Sequence, residues 1–409
     1  MNRRITLLIA AVCLAEICTM VGVFTFPALL PGFMAEWRLS NTEAGWISGV
    51  SFAAYALAAP VLVSLTDRLD ARRVYIVGAL LAAVSCAGFA LLADGFWPAL
   101  VFRAVGGAAL AGTYMPGLRV LVDRVPAALR PRVVPLYTAC FSLGTAASYA
   151  VSAGAAEVLG WRAAFVVAGG AAVIALALIL VLPPHRPPAA AAAGRLLDFR
   201  PVLRNRPAMG YILGYVAHMW ELFAYRAWVV GFLAFAAALP GADDGGWSTG
   251  GLLAPTSVAA LGAVIAFFCS IAGAEVATRL GRAPVVMVYM LLSGAAAFAM
   301  GPAAGVSYPL VAVAMLVYIG LIQLDSAALT TGAVEHAAED RRGATLAVHS
   351  LLGFLSAFVA PLAVGVVLDA GGGDLAAWGW AFASVGAVGL LGPLALAWSR
   401  RAGSPVAKP

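Results

Sequence analysis

Nine side chains able to carry charge or hold a polar group lie inside long apolar runs of this 409-residue chain: Glu16, Arg103, Tyr211, Tyr215, His218, Glu221, Tyr225, Arg226 and Asp325. An ionisable group at the centre of a bilayer costs at least about 2.5 to 3.5 kcal/mol on insertion scales, so each is a candidate functional residue if its run crosses a membrane. His218 and the carboxyl of Glu221 can take up and release a proton, while tyrosine hydroxyls can hold a solute without fixed charge. A guanidinium is permanently cationic and suits an anionic partner, so Arg103 is expected either to hold an anionic group or to pair with Glu16 or another carboxylate. At about 100° per residue, Tyr211, Tyr215, His218, Glu221 and Tyr225 fall within a roughly 120° arc of one helix, with Arg226 at its edge. Such a stripe predicts a face turned toward a polar cavity. The competing reading is structural, with Glu221 held by Arg226 or His218, and Asp325 by Arg226. Glu275, one turn before Arg279, reads as a loop-edge partner, and His349 as a further candidate.

The runs that carry these residues are too long for barrel strands and match helices that need about 20 mostly apolar residues to cross a bilayer. Of the whole chain 63% is apolar and only 11% charged, roughly half the charged fraction of a water-soluble globule. Twelve spans are expected, near residues 5–30, 42–64, 74–93, 98–122, 133–157, 161–182, 208–238, 251–277, 284–302, 307–332, 344–369 and 376–398. The first follows Met1-Asn2-Arg3-Arg4 like a signal peptide, but it is too long, lacks a small-residue cleavage site and precedes more spans, so it reads as retained. The chain shows no nucleotide-binding loop, Cys/His metal cluster or nucleophile elbow. An enzyme is therefore not expected.

Lys and Arg concentrate on the cytoplasmic side of membrane proteins. With the N-terminus inside, 21 of the 25 Lys and Arg fall on cytoplasmic segments, Arg38 and Arg162 fall outside, and Arg103 and Arg226 remain within spans. Both termini are thus expected in the cytoplasm, and the net charge of +6 is a topology signal that gives no support to nucleic-acid binding. Cys13, Cys18, Cys86, Cys140 and Cys269 lie within spans at no metal-ligand or disulfide spacing.

The longest polar interruption, residues 183–207, splits the chain into an N-terminal six-helix bundle (1–182), a cytoplasmic linker (183–207) and a C-terminal six-helix bundle (208–409). A shift of 211 residues carries Arg68 onto Arg279, Arg72 onto Ala283, and Arg130 onto Arg341. Two parallel repeats of this kind suit an all-α membrane protein in which one bundle rocks against the other around a midplane site.

Residues Val63-Ser-Leu-Thr-Asp-Arg-Leu-Asp-Ala-Arg-Arg73 resemble the major facilitator superfamily loop G-x-L-x-D-R-x-G-R-[RK]. Asp67, Arg68 and Arg72 match it, while Val63, Asp70 and Ala71 replace its two glycines and one arginine. Asn41 to Trp46, Gly160-Trp161-Arg162 with Phe165, and Arg103-Ala-Val-Gly-Gly107 are also similar to superfamily motifs, the last to one of the proton-coupled drug-antiporter branch. Ser142 to Tyr149 lacks the Gly-Pro which that branch carries in helix five. The resemblance implies twelve transmembrane helices in two pseudo-symmetric bundles, and a conformational latch at Asp67, Arg68, Arg72 and Arg279. It further implies a monomeric, multi-pass carrier of the bacterial inner membrane that binds a small-molecule substrate and needs a proton gradient but no cofactor or metal. The leading expectation is proton-coupled alternating-access transport of a small polar or charged solute. Proton-driven efflux of amphiphiles and a transport-dead membrane sensor or scaffold are the alternatives.

Overall fold

Several helices of this chain begin where a side chain satisfies an amide proton that the first turn leaves free. Ser40 and Glu43 form a capping box: the Glu43 amide donates to Ser40 Oγ at 3.2 Å and the Ser40 amide to Glu43 Oε2 at 2.9 Å. Asn205 and Asp374 accept from the amides of Ala208 (3.2 Å) and Ala377 (2.8 Å) in the same way.

The computed structural model describes residues 3–186, 199–239, 246–338 and 341–401, all helices and turns with no strand among them. The helices are α1 (Arg3–Met20), α2 (Thr25–Ala28), α3 (Leu30–Trp37), α4 (Asn41–Leu65), α5 (Ala71–Leu92), α6 (Phe96–Arg124), α7 (Arg130–Leu159) and α8 (Trp161–Val181). After the short α9 (Arg200–Arg204) come α10 (Arg206–Ala237), α11 (Pro255–Leu280), α12 (Arg282–Ala304), α13 (Tyr308–Gln323), α14 (Ser326–Glu335), α15 (Arg342–Ala370), α16 (Leu375–Gly389) and α17 (Leu391–Arg401). Residues 187–198 of the expected linker, with Arg195, lie outside the described residues.

Ten segments are by themselves long and apolar enough to cross a membrane, with α13 and α14 forming one and α16 and α17 another. The other two of the twelve are α1–α3, which is broken between Met20 and Thr25, and α7, whose apolar stretch is diluted by several Ser, Thr and Tyr. Large apolar side chains such as Leu57, Leu91, Trp97, Val181 and Trp380 stand exposed on the outer faces. That arrangement is costly in water and costless in lipid.

The chain divides into two compact units, one of Met1–Gly194 with Pro255–Val264 and one of Arg195–Ala254 with Ile265–Pro409. In the first, α4, α5, α6 and α8 pack closely, and α1 lies against α6, α7 and α8. In the second, α10 is the central helix, flanked by α13 to α17. Without a hydrophobic drive between helices in lipid, close backbone approach at small residues holds such bundles together. Gly107 of α6 faces the Ser51 carbonyl of α4 so closely that a Cβ there would overlap it, and Ser51 Oγ donates to the Arg103 carbonyl at 2.8 Å. Gly107→Ala should therefore pry α4 from α6 and cost about 1–3 kcal/mol. Detergent-solubilised protein titrated with SDS would show it; an unchanged midpoint would mean the helices part freely.

The Gly160-Trp161-Arg162 turn places its residues in an aromatic cluster. Gly160 adopts φ +82°, which suits glycine. Trp161 meets Phe33 at 5.0 Å, Phe89 stacks on Phe165 at 3.9 Å, and Arg162 lies 4.3 Å over the Trp161 ring.

Candidate functional site

A helix that is apolar on all sides belongs in the middle of a bundle, and α10 is buried along nearly its whole length. Every polar group on it must then find a partner on a neighbouring helix or cost free energy. His218 Nδ1 lies 2.6 Å from Asp325 Oδ1, and both residues are buried. Asp325 is reached because the tenth span breaks: α13 ends at Gln323, α14 starts at Ser326, and the Asp325 side chain does not cap the new helix. Tyr215, one turn before His218, stacks on His349 of α15 with ring centroids 3.7 Å apart. His349 Nε2 is 3.2 Å from Thr330 Oγ1 of α14. On the next turn Glu221 Oε2 accepts from Ser293 Oγ of α12 at 2.9 Å, and the Tyr318 hydroxyl of α13 sits beside the same carboxyl.

The remaining stripe residues go elsewhere. Tyr211 packs against Gly332 of α14 and the His336 ring (5.0 Å), Tyr225 meets Tyr318 at 6.0 Å, and Arg226 lies 5.3 Å over the Phe223 ring. The structure thus gathers Tyr215, His218, Asp325 and His349, places Glu221 beside them on α10, and directs Tyr211, Tyr225 and Arg226 to other neighbours. Ser293, Tyr318 and Thr330 complete the site and were not among the sequence candidates. A hydroxyl in an apolar run carries no sign of which helix it will face. Among the described residues, His218 Nε2, Glu221 Oε1 and His349 Nδ1 are buried without a hydrogen-bond partner, open positions where a proton or a solute group can bind.

In the first unit the break in the first span is organised by side chains from other helices. The Phe24 amide donates to Ser148 Oγ (3.0 Å), which donates to the Val21 carbonyl (2.6 Å), and Ser152 Oγ donates to Thr25 Oγ1 (2.9 Å). Arg103 donates from Nη1 to the Val23 carbonyl (2.7 Å) and from Nε to the Ile47 carbonyl (3.3 Å). The backbone groups released by the break are thereby satisfied.

Arg103 and Glu16 do not meet. Glu16 is fully buried with Oε2 at 2.8 Å from Tyr137 Oη, which is also 2.8 Å from the Tyr114 carbonyl. A phenol has one proton and cannot serve both acceptors at once. When Glu16 carries a proton it donates to Tyr137, and Tyr137 donates to Tyr114; when Glu16 is ionised Tyr137 turns its proton to the carboxylate.

The loop residues expected to form a latch bond within their own units. Asp67 pairs with Arg119 at 3.2 Å, and Arg119 with Asp123 at 3.0 Å. Arg72 donates to the Ile179 and Leu180 carbonyls at the end of α8 (2.9 and 2.5 Å), and Arg68 is exposed in the turn before α5. Arg279 pairs with Glu275 at 2.6 Å on the exposed end of α11. Asp70, where the motif has glycine, takes a deeper role. Its carboxylate caps α5 through the Arg72 amide (3.0 Å), receives Arg124 Nη2 at 2.7 and 2.9 Å, and accepts the Arg186 amide at 2.9 Å.

Comparison with known proteins agrees with this architecture. A bacterial homologue of the human lysosomal transporter Spinster, solved in an inward-facing and occupied conformation, superposes with TM-score 0.74 at 15% identity, covering 96% of each chain. The nucleoside transporter NupG superposes with TM-score 0.74 at 14% identity, covering 96% of this chain and 99% of its own. At these identities the likeness is one of fold. In sequence, the niacin transporter NiaP of Acinetobacter baylyi is 27% identical over 146 residues, a match spanning 36% of this chain and 33% of that transporter. The sequence profile described as Major Facilitator Superfamily matches residues 12–324. With two helical units, broken spans and buried charges inside them, this multi-pass membrane protein belongs to the Major Facilitator Superfamily, a family of transporters and not of enzymes.

Proposed function

We propose that the protein moves a small polar or charged solute across the bacterial inner membrane by alternating access, coupled to protons, with both termini in the cytoplasm. The observation that carries this reading is the buried His218–Asp325 pair at the break in the tenth span, with Glu221 one turn along α10. A carrier couples two gradients only if proton and solute each shift its conformational equilibrium, and a buried pair that changes charge on protonation gives that differential. Glu16, buried beside Tyr137, is a second carboxyl of the same kind in the first unit. The likeness to transporters of niacin and nucleosides supports a small solute.

The test is uptake into proteoliposomes with an imposed pH gradient. Nicotinate and a nucleoside panel are the first solutes to try. Accumulation of at least one solute should collapse when a protonophore dissipates the gradient. Uptake with the same extent at equal pH on both sides would sink the coupling while leaving the carrier.

A further inference from the structure

The guanidinium of Arg103 is 5% exposed and has two of its three nitrogens bonded to backbone carbonyls; the third, Nη2, is buried with no partner. Among the described residues no carboxylate pairs with it. The titratable side chains that act on it are the thiol of Cys86 and the phenol of Tyr149, and Glu16 is committed to Tyr137. A guanidinium is charged at every physiological pH, and a buried charge without a counter-charge is strongly destabilising. The surroundings supply further parts of a site. Ser48, next to Ile47 on α4, is 1% exposed and its hydroxyl also lacks a partner. Phe24, whose neighbour Val23 receives Arg103, stacks at 5.6 Å on Tyr149, whose phenol acts on the guanidinium, and lies 6.2 Å from Phe52.

We propose that Arg103 Nη2 and the Ser48 hydroxyl bind the carboxylate of a small, planar monocarboxylate solute, which supplies the counter-charge that Arg103 lacks. The carbonyls at the break are satisfied, so what is missing is an acceptor, and the fixed charge selects an anionic one. One guanidinium is neutralised by one carboxylate and over-compensated by a dianion. This inference rests on the transporter reading and names the chemical class of its solute.

The experiment is thermal-shift titration of the purified full chain in nanodiscs with two isosteric pairs, nicotinate against nicotinamide and benzoate against benzamide. At least one carboxylate is expected to raise the melting temperature with an affinity at least about thirtyfold above that of its amide. Arg103→Gln should abolish the difference. Because Arg103 also ties down Val23 and Ile47, Ser48→Ala provides a second variant that leaves those bonds intact, and it should weaken carboxylate binding about two- to tenfold without moving amide binding. Amides binding as tightly as acids would overturn the proposal, as would a monodisperse Arg103→Gln protein with unchanged carboxylate affinity. Failure of every carboxylate to bind, beside gradient-driven uptake of a neutral solute by the same preparation, would remove the anion site and leave the transporter. Absence of both binding and flux for all solutes would count against both.

Discussion

Replacing Arg124 with alanine should lower the unfolding free energy of the protein by about 3–5 kcal/mol, the usual cost of removing one partner of a buried ion pair. Both side chains of the Arg124–Asp70 pair are 2% exposed. The loss would strand a carboxylate that also caps α5, and would free the Pro184 carbonyl, which accepts from Arg124 Nε at 2.8 Å. Asp70→Asn should cost less, since the amide oxygen can still cap. The pH dependence has a definite sign. Burial pushes the Asp70 carboxyl up, but the hydrogen bond from Arg124, those from the Arg186 and Arg72 amides, and the Arg124 charge outweigh it and hold the group below the usual carboxylate range. A carboxyl that is more acidic in the folded chain contributes its full stabilisation above the unfolded value of about 3.9 and loses it as pH falls through the folded value. SDS titrations at neutral and acid pH should therefore show Asp70→Asn flattening the acid-side loss. Equal acid sensitivity of variant and parent would place the titrating group elsewhere.

The second large effect concerns coupling. Asp325→Asn removes the charge that changes when His218 and Asp325 share or lose a proton, while keeping size and one acceptor. The part of solute accumulation driven by a pH gradient should fall roughly 5- to 150-fold, the range of a typical coupling free energy between two sites. Solute exchange at equal pH, which requires binding and reorientation but no net proton movement, should persist. Glu221→Gln distinguishes the positions: if it alone abolishes gradient-driven uptake and Asp325→Asn does not, the coupling group lies at Ser293 and Tyr318. Loss of exchange together with uptake in Asp325→Asn would assign the pair to solute binding or to holding α14 against α10.

The spans were legible because hydropathy over some twenty residues is a local property, and the membrane selects it strongly. The interruptions were not. Gly22 and Pro27, whose ring opposes the Val23 carbonyl, weaken the helix there, but the partners that hold the departing chain, Ser148 more than 120 residues on and Arg103, are not marked locally. The same holds at Leu324 and Asp325. Spacing on α10 puts its polar groups on one arc, but an arc on a central helix borders several neighbours. Glu221 therefore meets α12 while His218 meets the break before α14. Loop partners were equally hidden. Asp67 finds Arg119 and Asp70 finds Arg124 across 52 and 54 residues, and Asp70 alone reads as a damaged glycine position.

That last pairing has a consequence for how this chain can change by mutation. Replacing Asp70 with glycine leaves Arg124 buried without its counter-charge, and replacing Arg124 leaves Asp70 in the same position, so either single change destabilises the fold while a paired change avoids the stranded charge. A glycine at position 70 should therefore be tolerated best in variants whose position 124 is uncharged.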